Sequence, residues 1–254
     1  MMKKLLVVAA AIGLTGLTVL LACMACLAAP KGLSADNVRE IFSTVRNSEG
    51  EGVFFAIDSN TVTLAEGSFT RPGATEAVVA FVDGNQPHVG LPGELWLLGY
   101  GTKWAPILMI DQSDEATFII VDIARDGTSE VLYTLKRWLT GGILLKRQTL
   151  VSLRGTQVKT IYSADGTSYA FHEVWKQFRD KDPITDHEIH LEDVNGDGAV
   201  ELIDTELSGT FVHTGAGDDD GWKIRYSPVG STTYRFLIDN DKHILGVEKL
   251  PDTP

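Results

Sequence analysis

The chain has 254 residues, with 22 Lys and Arg against 34 Asp and Glu, a formal net charge of −12 at pH 7 and only two cysteines. Such an acidic balance repels phosphate backbones and disfavours broad adhesion to anionic lipid, so nucleic acid is not an expected partner. Both cysteines, Cys23 and Cys26, precede residue 30, so the body of the chain has no internal disulfide and must be held by its core.

Lys3 and Lys4 precede an apolar run from Leu5 to Ala22, the order of the n-region and h-region of a secretory signal. Eighteen apolar residues are also marginally enough to cross a bilayer, so an uncleaved anchor is the alternative. Leu20-Leu21-Ala22-Cys23 resembles the lipobox of bacterial lipoproteins, with Leu at −3, a small residue at −1 and Cys at +1; its Leu at −2 is not the commonest choice. The resemblance implies a signal peptide over residues 1–22, lipid such as palmitate on Cys23, and a membrane-anchored place in the bacterial cell envelope. Met24 stands where inner-membrane lipoproteins of enteric bacteria often carry Asp, which points to the outer membrane if the host is Gram-negative. Cys23 and Cys26 also spell C-x-x-C, but at the end of an apolar run and not beside a βαβ pattern, so redox chemistry is not expected. Without residues 1–22 the chain keeps 20 basic groups against 34 acidic ones, because Lys3 and Lys4 are lost, and its formal charge becomes −14. Residues 23–33 read as the lipidated cysteine and a tether; its last seven residues reach at most about 25 Å.

A single β-rich domain is expected over residues 34–254. It opens with a helix: Ser34 suits the N-cap, Asp36 lies in the first turn, and Val38, Ile41, Phe42 and Val45 recur at helical spacing. From residue 52 onward, short runs rich in Val, Ile, Thr, Leu and aromatics alternate with Gly, Asp, Asn and Pro. The strands are read at 53–57, 61–64, 76–82, 94–98, 104–110, 117–123, 130–138, 142–153, 156–162, 187–194, 200–207, 222–226, 233–238 and 243–247. That texture predicts an all-β, mainly antiparallel fold and argues against a doubly wound α/β sheet. Phe171, Val174, Trp175 and Phe178 have helical spacing, so a second short helix is predicted over 168–179, with a strand through 174–178 as the alternative.

Three segments align without gaps, at 68–76, 122–130 and 193–201. Gly73, Gly127 and Gly198 coincide, as do Glu76, Glu130 and Glu201, each followed by apolar residues. The starts are 54 and 71 residues apart, room for about four strands per unit. A strand, then D-x-D/N-x-D-G-x-x-D/E, then a strand is similar to the FG-GAP (VCBS-type) repeat. That resemblance implies blades of a β-propeller with calcium in the loop. Three units are too few for an ordinary closed propeller, so the expectation is a repeat-like, partial or atypical β-propeller-like assembly.

The third segment is the fullest. Asp193, Asn195, Asp197 and Glu201 stand at loop positions 1, 3, 5 and 9, with Gly198 at position 6 for the sharp turn and the Ala199 carbonyl at position 7. Calcium favours several oxygen ligands supplied together, so these five residues form the candidate structural calcium set. Asp204 falls at position 12, which keeps open an EF-hand or dockerin-like loop, provided a helix follows; a metal-free turn is the third reading. The second loop has Asp122, Asp126 and Glu130 but Ala124 at position 3, and is the weaker metal candidate. The first has Arg71 and Pro72 in place of ligands. Asp218, Asp219 and Asp220 read as a solvated loop tip, and His187 and His190, three apart on a strand, point to opposite faces and do not suggest zinc.

No nucleophile elbow, phosphate loop, zinc-protease motif or Rossmann glycine set is present. The function expected is a non-enzymatic binding or scaffold domain with an envelope protein or glycan as partner. The alternative is an envelope hydrolase acting on a glycan or ester with loop carboxylates. The five tryptophans suit the core, or else line a sugar site.

Overall fold

A computed structural model describes residues 32–48, 57, 61–82, 93–113, 115–139, 143–169, 183–194, 196, 198, 200–213, 224–239 and 241–251. The signal segment 1–22 and the cysteines Cys23 and Cys26 lie outside these residues, as do most of the tether, strand 53–57 apart from Ile57, the acidic run 218–220, Trp175 and Trp222.

Helix α1 spans Ala35–Ser48. Ser34 caps it: its Oγ accepts the Asn37 N–H at 3.2 Å, and Asn37 Oδ1 accepts the Ser34 N–H at 3.3 Å, a reciprocal pairing that satisfies otherwise orphaned donors. Among the described residues twelve strands follow, in three four-stranded sheets. The first sheet is β1 (Thr63–Gly67), β2 (Glu76–Val82), β3 (Gly93–Tyr100) and β4 (Trp104–Ser113). The second is β5 (Glu115–Val121), β6 (Glu130–Leu139), β7 (Ile143–Ser152) and β8 (Lys159–Tyr169). The third is β9 (Pro183–Glu192), β10 (Glu201–His213), β11 (Ile224–Ile238) and β12 (Ile244–Lys249). In each sheet sequential strands are neighbours and antiparallel, so all three are simple meanders. The fold is thus mostly antiparallel β with an N-terminal helix, as the residue pattern predicts.

Side chains alternate across a strand, and this alternation builds the layers. On β2, Ala77, Val79 and Phe81 meet α1 through Val38 and Phe42, with Leu98 and Trp104 in the same cluster. Val78 and Ala80 point the other way and pack with Leu95 and Leu97 against Val131, Tyr133 and Val151 of the second sheet. Leu132 and Leu150, on the opposite face of that second sheet, pack against Ile189, Leu202 and Phe236 of the third. β2 is buried on both faces, which explains its continuous apolar run. Leu33 also belongs to the helix-side core, and its N–H donates to Glu66 Oε1 at 2.7 Å, so the folded domain begins one residue inside the expected tether. Trp96 and Trp104 both pack in this helix-side cluster.

Two sequence expectations need correction. β8 continues through Gly166 to Tyr169, so Ser168 and Tyr169 are strand and not helix; the rest of the predicted 168–179 helix lies outside the described residues. Past the end of the strand predicted over 156–162, Arg147 Nε on β7 donates to Asp165 Oδ1 at 2.7 Å, and Gly166 is buried against Asp186. The described part of the predicted strand 222–226, residues 224–226, and the predicted strand 233–238 belong to one long strand, β11. A register shift at Ser208/Gly209 on β10 absorbs the irregularity opposite Pro228 and Gly230.

Candidate functional site

The three segments that align in sequence occupy one structural position. Residues 68–75 join β1 to β2, 122–129 join β5 to β6, and 193–200 join β9 to β10, so each is the first hairpin loop of its meander. The aligned glycines all lie in the left-handed region, Gly73 at φ +72°, Gly127 at +79° and Gly198 at +89°, where a side chain is strained. The aligned glutamates are all buried at the start of the second strand. Each folds back over its loop to accept an N–H seven residues earlier: Phe69 to Glu76 Oε2 at 2.7 Å, Ile123 to Glu130 Oε2 at 3.1 Å, Val194 to Glu201 Oε2 at 3.0 Å. The glycine reverses the chain, and the glutamate satisfies an amide that has left its sheet ladder.

Beyond this shared strut the loops differ. In the first, Glu76 also accepts from the Thr70 N–H at 2.9 Å and from the Thr70 hydroxyl. In the second, Asp122 takes the N–H groups of Asp126 (3.1 Å) and Gly127 (2.9 Å), and Asp126 Oδ1 takes the N–H and hydroxyl of Thr128. Asp126 Oδ2 lies 2.8 Å from Arg154 Nη2 and 3.5 Å from Lys242 Nζ, and Lys242 also bonds Glu130 Oε1. Burial pushes the Glu130 carboxyl above its ordinary range, opposed by the Lys242 ammonium and the Ile123 N–H. Burial acts upward on Asp126 too, but the Thr128 hydrogen bonds and the charges of Lys242 and Arg154 outweigh it and hold that carboxyl below its ordinary range. The acids of this second set, Asp122, Asp126 and Glu130, are therefore engaged by protein groups.

In the third loop, Asp193 Oδ1 accepts the Gly196 N–H at 2.7 Å, and Gly196 and Gly198 both take positive φ. Asp193 is exposed at one end and Glu201 buried at the other; Asn195, Asp197 and Ala199 lie outside the described residues. Among the described residues no three His, Cys, Asp or Glu side chains gather as a metal site. The hard oxygens and tight curvature of this loop fit calcium chemically, whereas the second loop already holds an ammonium. The Arg125 guanidinium lies where a Cβ on residue 198 would stand, a second reason for glycine there.

The loops lie side by side. Ser129 N–H donates to Ser68 O at 2.7 Å, Gly155 N–H to Thr70 O at 3.1 Å, and Arg125 reaches from the second loop to the third.

Asp204 does not complete the third loop. It sits within the 13-residue strand β10, so no helix follows the loop and the EF-hand or dockerin-like reading fails. Its carboxylate, 2% exposed, lies 2.9 Å from His187 Nδ1 and accepts from the Tyr162 hydroxyl, bridging β8, β9 and β10 between the second and third sheets. Lys146 reinforces this seam by donating to His187 O at 2.7 Å. Burial, then the Asp204 carboxylate, drives the Tyr162 phenol well above its ordinary range. The cluster is a joint between sheets, and among the described residues no serine, threonine or cysteine hydrogen-bonds the far nitrogen of His187. Nothing in the local sequence marks Lys242 or Tyr162, whose partners lie 112 and 42 residues away.

The fold and loops together define a mostly antiparallel β protein made of three meanders with equivalent first hairpins. Comparisons with protein-family models, curated proteins and solved structures find no match.

Proposed function

We propose that this chain is a lipid-anchored protein of the bacterial cell envelope, whose β domain binds or scaffolds an envelope protein or glycan without catalysing a reaction. The observation that carries the reading is the repeated loop: three glycines at positive φ and three buried glutamates, each closing the first hairpin of a four-stranded meander. This supports kinship with FG-GAP (VCBS-type) repeats, and meanders packed face to face suit a partial, propeller-like assembly. The anchor rests on Leu20-Leu21-Ala22-Cys23, with Cys23 lipidated and the outer membrane favoured in a Gram-negative host. The third loop holds a structural calcium ion through Asp193, Asn195, Asp197, the Ala199 carbonyl and Glu201. The rival hydrolase needs two carboxylates about 5–10 Å apart facing one substrate. The loop carboxylates Glu76, Asp122 and Glu130 are instead bonded to amides, a hydroxyl and a lysine, which supports binding over hydrolysis.

Two measurements test the reading. Cys23→Ala should abolish palmitate incorporation and either leave an unprocessed precursor or release the chain from the membrane fraction; wild-type protein whose mass includes residues 1–22 rejects the anchor. Calcium at about ten times its dissociation constant contributes roughly 1.4 kcal/mol by linkage. Melting should therefore rise by about 3–5 °C in millimolar calcium for a domain of this size. Magnesium should do less, since it demands stricter octahedral geometry, and Asp193→Ala or Asp197→Ala should remove the rise. Superimposed curves in calcium and chelator would make 193–201 a metal-free turn.

A further inference from the structure

The turn between β11 and β12 carries a lysine in an unusual place. Asp239 organises the turn: its carbonyl accepts the Lys242 N–H at 2.9 Å, and its Oδ1 accepts the His243 N–H at 2.7 Å. Lys242 takes φ +64°, a region that a residue with a side chain rarely adopts. An outlier of this kind persists only where its surroundings hold it. Here they do: Lys242 is 2% exposed, and its side chain leaves the third sheet to enter the first hairpin loop of the second. Its Nζ bonds Glu130 Oε1 and lies 3.0 Å from Thr128 Oγ1, 3.5 Å from Thr128 O and 3.5 Å from Asp126 Oδ2.

Asp126, the Thr128 carbonyl and Glu130 are positions 5, 7 and 9 of this loop, and they correspond to Asp197, Ala199 and Glu201 of the third. Position 3 of the second loop is Ala124 and offers no ligand. A buried ammonium and a buried carboxylate each carry a large desolvation cost unless paired, and here the two are paired with each other. We propose that Lys242 is the resident cation of the second loop: its ammonium stands in the place of a metal ion and ties the β11–β12 turn of the third sheet to the first hairpin of the second. The inference stands whether or not the third loop binds calcium. A hard cation wants several oxygens together, and the loop meets a lysine ammonium with a carboxylate, a hydroxyl and a carbonyl at those positions. Arg154, bonded to the same Asp126 Oδ2 that faces Lys242, completes the neutralisation.

The test uses the full chain purified in detergent and carrying Asp193→Ala, so that the third loop contributes no calcium effect. In chelator, Lys242→Met keeps the length of the side chain but leaves Glu130 buried without its cation. Its melting temperature should fall by about 10 °C, the scale expected when one partner of a buried pair is removed. Lys242→Met with Glu130→Gln buries no unpaired charge and should recover much of that loss, even if Lys242→Met alone does not fold. Lys242→Gly relieves the backbone and opens the space, so millimolar calcium should raise its melting temperature by a few degrees and leave the lysine-bearing parent unchanged. The proposal is overturned if Lys242→Met melts with the parent. It is also overturned if the double variant melts no higher than Lys242→Met, or if calcium leaves Lys242→Gly unmoved.

Discussion

Glu76 shows what the aligned glutamates contribute one residue at a time. Its carboxylate is buried and accepts from two backbone amides and one hydroxyl, none of which has a strand partner to replace it. Leaving buried donors unsatisfied costs about 1–3 kcal/mol each. Glu76→Ala should therefore destabilise the domain by about 3 kcal/mol, read as a melting temperature lower by about 10 °C; a shift below about 2 °C would show that the glutamate is not a strut. Tyr162 gives the residue-scale pH dependence. Burial first, and the Asp204 carboxylate second, raise its folded pKa above the unfolded value near 10. A phenol shifted this way contributes stability that is fully present below about pH 10 and is lost as the pH climbs toward the folded value. Absorbance titration of the native protein should show tyrosinate from this residue only on alkaline unfolding, and Tyr162→Phe should weaken the loss of stability above pH 10. A Tyr162 signal titrating near pH 10 in the folded protein would refute the buried joint.

At the scale of elements, the features legible in the sequence were those with a local cause. The limits of β2, Glu76–Val82, follow from an apolar run that begins after a glycine turn, and those of α1 from the Ser34 cap and the Val38, Ile41, Phe42 spacing. The loop alignment was legible too, because left-handed glycines and buried glutamates are fixed by the hairpin itself. What escaped was set by partners far along the chain. The strand predicted over 156–162 runs on to Tyr169, with Asp165 and Gly166 held by Arg147 and Asp186. Asp204 has the spacing of a loop ligand, but its strand carries it into the seam with His187 and Tyr162. Lys242 lies in an ordinary polar turn by sequence, and only the packing of the third sheet on the second brings it to Glu130. Acidic residues at suggestive intervals thus identify a loop, but the tertiary neighbours decide whether an ion, an ammonium or an amide satisfies them.

Among the described residues from Leu33 onward, helix, first sheet, second sheet and third sheet are stacked in that order, and these layers are unequally secured. The first sheet is packed on both faces, by α1 on one side and the second sheet on the other. Among the described residues, the buried apolar cluster of the third sheet lies on the side of the second, and Leu245 and Val247 of β12 and Leu237 of β11 are exposed. Polar joints therefore carry much of its attachment: Asp204 to His187 and Tyr162, Lys146 to the His187 carbonyl, and Lys242 to Glu130. Proteins open in cooperative units, beginning where buried apolar contact is sparse. Leaving a buried hydrogen-bonding group without its partner costs about 1–3 kcal/mol, and Asp204→Ala leaves both His187 and Tyr162 without theirs. The damage should be confined to the outer layer. In native-state hydrogen exchange the amides of β10, β11 and β12 should lose protection by several orders of magnitude. Those of β2, β3 and α1, whose packing does not touch Asp204, should keep theirs. Equal loss of protection in β2 and β11 would mean that the layers open as a single unit and that the third sheet is no more loosely held than the first.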